Sequence, residues 1–203
     1  VEFDVGALIK YISLAALALA PALSSALVIE KVDVPETITV EGKTLVLNGA
    51  GIRTAERFGL TFKVFVGALY SAKKSSDANE LLNATEPRVL RLTFLRRVDG
   101  KDIVDSLNAN ITPSCLSLMD KNSCEGLRQT VKPLTGNYPD MLTGSTVQYW
   151  YHPDRVEFEI NGRKYLKGVI PGAVASKSLL GFSIGSKAPS AEFRKALLGL
   201  VNR

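Results

Sequence analysis

The chain has 203 residues, 46% of them apolar and 22% charged, with a formal net charge of +5. That length suits one domain with a sizeable core, and the balance of residues excludes a disordered chain. The basic residues, Arg88, Arg91, Arg96 and Arg97 among them, are scattered and not interleaved with aromatics. This excludes a nucleic-acid-binding arm and reads as a solvated basic surface, with weak attraction to anionic ligands or membrane surfaces as the alternative.

The first stretch places Lys10 before an apolar run, then Pro21, then the small residues Ser24 and Ala26. Acidic Glu2 and Asp4 precede it. The pattern is that of a secretory signal peptide, and the run is short for a membrane span of ~20 residues. The expectation is a cleaved signal over residues 1–26, a domain over residues 27–203, and a periplasmic or secreted location. An uncleaved anchor is the alternative.

Val34-Pro35 opens the domain. Residues 37–40, the Glu41-Gly42 turn and residues 43–47 predict a β-hairpin. Asn48-Gly49-Ala50-Gly51 follows, where paired glycines allow either a turn with positive φ or a close backbone approach. Arg53 comes directly after. A guanidinium there, beside apolar strands, can hold an anion in a greasy setting. Residues 61–70 predict a long, largely buried strand with Phe65, Gly67 and Leu69 on one face. Phe62, Val64, Val66 and Tyr70 fall on the other.

A short helix is expected at residues 80–82 and a half-buried strand at 88–94. A helix at 101–111 carries Ile103, Val104, Leu107 and Ile111 on one face. Two short helical pieces follow at 116–119 and 127–134. Strands at 147–151 and 155–160 lead into the Asn161-Gly162 turn and a third strand at 165–170. Helices at 174–180 and 190–201 close the chain, the second capped by Ser190.

Arg53 is the leading candidate for a ligand-binding residue. The competing reading is a structural arginine paired with an acid such as Glu56. Cys115 and Cys124 are the only cysteines. An oxidising compartment makes a disulfide between them plausible, with two free thiols as the alternative. Nine apart and without a neighbouring histidine, they make no zinc site. No cofactor motif is present, since Gly49-Ala50-Gly51 lacks the third glycine of a dinucleotide fingerprint. His152, the single histidine, sits in a His-Pro-Asp turn and reads as a surface residue. Tyr149-Trp150-Tyr151 reads as sheet packing with one ring lining a cleft.

Residues 47–53, Leu-Asn-Gly-Ala-Gly-Ile-Arg, and 62–70, Phe-Lys-Val-Phe-Val-Gly-Ala-Leu-Tyr, resemble the core signature of bacterial chalcone isomerase-like proteins. Residues 182–189 and 193–199 are similar to that family's closing segment. The resemblance implies an α+β fold: a long antiparallel β-sheet with helices packed on one face and a cleft between the layers. In the family's catalytic members the arginine matching Arg53 orients the ionised oxygen of the substrate, and in its fatty-acid-binding members it holds a carboxylate. Phe65 stands where the enzymes carry threonine and the fatty-acid binders tyrosine. Phe94 stands where the enzymes carry lysine, and Ile103 where they carry a cleft tyrosine.

With those positions apolar, donors for a developing enolate are missing. The expected function is therefore a non-catalytic, exported domain that binds a small amphipathic anion, a fatty acid or aromatic acid, through Arg53, Phe65, Phe94 and Ile103. The alternatives are an intramolecular lyase of the chalcone isomerase type acting through Arg53, and an interaction module with a vestigial cleft. Neither metal nor nucleic acid is expected as a partner, and nothing in the sequence singles out a protein partner.

Overall fold

The computed structural model describes residues 26–201, apart from residue 137 and residues 165–169. The expected signal segment therefore lies outside the described residues except for Ala26, and the expected strand at 165–170 lies outside them except for Ile170. Two short strands, β1 (Ala26–Ile29) and β2 (Val32–Pro35), pair as a hairpin where no element was expected. Then come β3 (Thr37–Val40), β4 (Lys43–Arg57), β5 (Leu60–Ser71), α1 (Ala78–Asn83) and β6 (Arg88–Phe94). Helices α2 (Gly100–Leu116) and α3 (Lys121–Thr135) lead to β7 (Thr146–Tyr151) and β8 (Arg155–Ile160). The short β9 (Arg163–Lys164) and β10 (Ile170–Pro171) precede α4 (Ala173–Ile184) and α5 (Ala191–Leu197).

The sheet runs β10-β8-β7-β6-β5-β4-β3, with β9 also on β8, and every pairing is antiparallel. The fold is α+β. Helices cover one face, where Leu69, Leu90, Tyr151 and Phe158 meet Ile111, Leu180, Phe193 and Leu197. On the other face the β1–β2 hairpin supplies Val34 to a second core with Leu47, Val66, Ala68, Tyr70 and Val89. The Tyr70 hydroxyl donates to the Pro35 carbonyl at 3.1 Å and secures the hairpin.

The glycine segment is no turn. It lies inside β4, and neither Gly49 nor Gly51 has positive φ. The glycines serve the close approach instead. A Cβ on Gly49 would sit 2.2 Å from the Ala196 carbonyl oxygen, and one on Gly51 would sit 2.4 Å from the Ala196 Cβ. One on Gly67 would sit 2.4 Å from the Phe193 ring. Helix α5 thus rests on bare backbone. Asn48 is the extra residue of a β-bulge between Leu47 and Gly49. Its amide donates to the Leu197 carbonyl at 2.8 Å, satisfying an acceptor at the helix end, and its oxygen accepts from Ser75 N at 2.7 Å.

Helix α2 extends past the expected end at residue 111 to Leu116 and carries Pro113 within it, packed against α4. Residues 116–119 thus form its end and a turn rather than a separate helical piece. Cys115 and Cys124 are joined, with Cα atoms 5.6 Å apart, tying α2 to α3. Two residues read as surface groups are buried. Arg88 is 1% exposed, donating to the carbonyls of Ala84 and Glu86 and to Ser176 Oγ, and its Nε has no partner among the described residues. His152 is 5% exposed, with its Nε2 3.7 Å from Glu157 Oε1. Burial, then the charge of Arg155, lowers its pKa, which keeps it neutral.

Three changes should alter stability. Gly49→Ala should lower the urea midpoint by the equivalent of about 1–3 kcal/mol, because backbone carbonyls cannot step aside. Gly126→Ala, in α3 with open space around it, should gain about 1 kcal/mol. For the disulfide, thiol titration of denatured, unreduced protein should find none free, and reduction should cost about 2–3 kcal/mol.

Candidate functional site

A cavity of about 880 Å³ lies between the sheet and the helices. Its position follows from the strand register. Arg53 on β4 pairs with Phe65 on β5, which pairs with Phe94 on β6, so one row across the sheet carries a cation and two aromatic rings. All three line the cavity. From the helix layer Ile103, Leu107 and Ile111, spaced four apart on α2, face them, with Phe193 of α5 beside them. The structure therefore gathers Arg53, Phe65, Phe94 and Ile103 around one space.

A second β-bulge shapes the wall. Arg53 pairs with Phe65 but Thr54 pairs with Lys63, so Val64 is the extra residue. The bulge reverses the alternation beyond it. Phe62 and Val64, expected on the face of Val66 and Tyr70, line the cavity instead. Phe65 is held by its neighbours: its ring centroid is 5.5 Å from that of Phe94 and 5.5 Å, edge-on, from that of Phe193.

Arg53 is partly buried and forms no ion pair among the described residues, so the expected alternative partner Glu56 does not engage it. Its Nη1 donates to the Thr54 carbonyl. Desolvation lowers its pKa and the Glu192 carboxylate works in the opposite direction. A guanidinium has five N–H donors. One is spent on the backbone, and the rest remain for an anion.

The cavity also holds polar groups that periodicity did not single out. Tyr149 and Tyr151 of β7 both line it, their rings stacked at 6.1 Å. Trp150 between them packs with the core of the opposite face. Tyr138, from the connection after α3, also lines the cavity, and its hydroxyl bonds that of Tyr149. The two β7 rings were open to reading from their i, i+2 spacing. Tyr138 and Phe193 carried no signal of that kind, because a loop and a distant helix bring them in. At the rim Arg97 pairs with Asp99 at 3.1 Å and Asp140 at 2.8 Å. Arg96 lies over the Phe62 ring at 4.6 Å. Among the described residues no group of three or more His, Cys, Asp or Glu is placed to hold a metal ion.

Burial raises the pKa of Tyr70, Tyr149 and, well above the ordinary value, Tyr151, because a phenolate is disfavoured away from water. A spectrophotometric titration should show these three ionising at higher pH in the folded protein than in denaturant. The folded state holds these protons more tightly than the unfolded chain. Their contribution to stability is therefore full below pH ~10 and is lost as pH rises through the folded values. Arg88, pulled down by burial to about 10, works in the opposite sense over that range.

Among curated proteins none matches by sequence. The crystal structure of an Arabidopsis thaliana fatty-acid binding protein superposes with a TM-score of 0.70 at 16% identity, covering 86% of this chain and 96% of that one. At that identity the likeness speaks for the fold. The family model described as chalcone isomerase-like matches residues 26–199. The signature around Arg53, the antiparallel sheet with its helix layer, and this match over nearly the whole described chain place the protein in the chalcone isomerase-like family.

Proposed function

We propose that the protein binds a small amphipathic anion, a fatty acid or aromatic acid, and performs no chemistry on it. The carrying observation is Arg53: a partly buried guanidinium with no carboxylate pair among the described residues, on the wall of an apolar cavity of about 880 Å³. That volume is in the range of small-molecule sites, which run to about 1,000 Å³. A carboxylate entering there loses its water and needs a charge-assisted partner, which Arg53 supplies. The apolar body then lies against Phe65, Phe94 and Ile103.

Those same three positions support the non-catalytic reading. Two tilted rings 5.5 Å apart and an aliphatic side chain offer neither proton transfer nor an oxyanion donor beside the cation. The fatty-acid-binding title of the structural neighbour is in keeping with this. An open cavity argues against an interaction module whose cleft is vestigial. We propose further that the protein acts outside the cytoplasm, after removal of residues 1–26. The joined Cys115 and Cys124 suit an oxidising compartment.

The experiment is a titration of a fluorescent fatty acid into wild type, Arg53→Ala and Arg53→Lys, with thermal unfolding followed in parallel. A hydrogen bond to a charged group contributes about 1.5–3 kcal/mol, so the alanine variant should bind roughly ten- to a hundredfold more weakly. The lysine variant should recover only part, since an ammonium lacks the planar fork. Both should unfold near the wild-type temperature. Equal affinity in all three proteins would refute the ligand role.

A further inference from the structure

The cavity has a cation toward one end and hydroxyls toward the other. Arg53 stands in the row that crosses β5 at Phe65 and β6 at Phe94. Tyr149 pairs with Leu90, which lies four residues from Phe94 along β6, and β7 is three strands from β4. With strands about 4.8 Å apart and about 3.4 Å per residue along them, the α-carbons of Arg53 and Tyr149 lie about 20 Å from each other. Helix α2 runs the same way: Ile103 joins the cluster of Phe94, and Ile111 that of Leu90 and Tyr151. The other charged residues of the described lining follow Arg53 on β4 or Phe94 along the chain, and none stands on β7.

The tyrosine end is held in place. The rings of Tyr149 and Tyr151 stack at 6.1 Å, and Phe158 packs on Tyr149 at 5.8 Å. Burial keeps both phenols protonated, so both remain donors. The bond from Tyr138 favours the Tyr149 phenolate, which makes Tyr138 the donor and leaves the Tyr149 proton for another partner. A buried tyrosine hydroxyl ordinarily has a partner. That of Tyr151 has no hydrogen bond among the described residues, and its oxygen is not sealed in. Arg88, opposite Tyr151 in the register, is taken up by two carbonyls and Ser176. An all-apolar ligand would leave these two donors facing hydrocarbon, which is unfavourable.

We propose that the cavity selects carboxylates bearing a second, uncharged hydrogen-bonding group far from the first, with Arg53 taking the carboxylate and Tyr149 and Tyr151 donating to that second group. A hydroxyl or carbonyl oxygen at the far end of an acyl chain fits. A second carboxylate does not, because no cation lines that end among the described residues. A few polar groups set apart in an apolar cavity fix which ligand enters and which way round it lies. This inference rests on ligand binding at Arg53 and narrows the class of ligand.

The test is a calorimetric titration of dodecanoate and of its ω-hydroxy derivative into wild type, Tyr149→Phe, the double variant Tyr149→Phe with Tyr151→Phe, and Arg53→Ala. The quantity read is the ratio of the two affinities within each protein, which a general loss of stability does not move. Wild type should bind the hydroxy acid at least as tightly as the plain acid. In the double variant the ratio should fall about tenfold or more, with dodecanoate affinity kept, and Tyr149→Phe should lie between. Arg53→Ala should weaken both acids alike and leave the ratio near that of wild type. An unchanged ratio in the double variant would overturn the selection while binding at Arg53 stands. A ratio that falls in the double variant, with full affinity in Arg53→Ala, would overturn the assignment of the carboxylate to Arg53 and keep the tyrosine end. Binding of neither acid by wild type would overturn both.

Discussion

Helix α5 rests on strand β4 where two glycines leave the strand without side chains, and the site depends on that contact. Gly49 and Gly51 leave the strand bare where the carbonyl of Ala196 and its methyl group arrive, and Gly67 leaves room for the Phe193 ring. Any Cβ there would push the helix away, because a close-packed interface transmits such a change. With the helix seated, Phe193 stands edge-on to Phe65, and Ser190 at the helix start joins the cavity wall beside Arg53. Asn48 fastens the arrangement from the strand side through the last carbonyl of the helix. The glycines therefore act on the site at a distance of one packing layer, through what they allow to rest on them.

The two bulges divide the work along the same strand pair. The one at Asn48 turns a polar side chain toward α5 in the middle of an apolar sheet, where it finds partners for both its donor and its acceptor. The one at Val64 turns a further stretch of β5 toward the cavity, so that Phe62 and Val64 join Phe65 on one wall. Without it the alternation would carry Phe62 to the opposite face and leave Arg96 with no ring beneath it. A bulge costs little in a long ribbon and re-aims side chains beyond it, which is why it occurs where a wall must widen.

The charges inside the protein are handled by neutral partners. Arg88 is held by two carbonyls and a serine hydroxyl, His152 stays neutral, and Arg53 leans on a single carbonyl. A buried cation neutralised by a carboxylate would be closed to ligands. One satisfied by backbone dipoles remains electrostatically open, and that distinguishes Arg53 from Arg97 at the rim, which already holds two acids. Sixteen per cent identity to a fatty-acid binding protein, with the same fold over most of both chains, shows how far the sequence can change while the layers stay.

The sequence by itself determined the alternation of β3, β6, β7 and β8, the apolar stripe of α2, the Ser190 cap and the hairpin turns at Glu41 and Asn161. Each of these is a local pattern whose physics is complete within a few residues. Arg53, Phe65, Phe94 and Ile103 could also be singled out, because a family signature marks their positions. Tertiary structure decided the rest. It made a strand interior of the Asn48–Gly51 segment, because β5 pairs along Gly49 to Gly51 and helix α5 rests on the bare backbone there. It extended α2 through Pro113, buried Arg88, with Ser176 of α4 among its partners, buried His152, and brought Tyr138 to Tyr149. Above all it set the bulge at Val64. A single added residue in a register is invisible to periodicity, since both faces of that strand are apolar and only the partner strand shows which way each side chain turns.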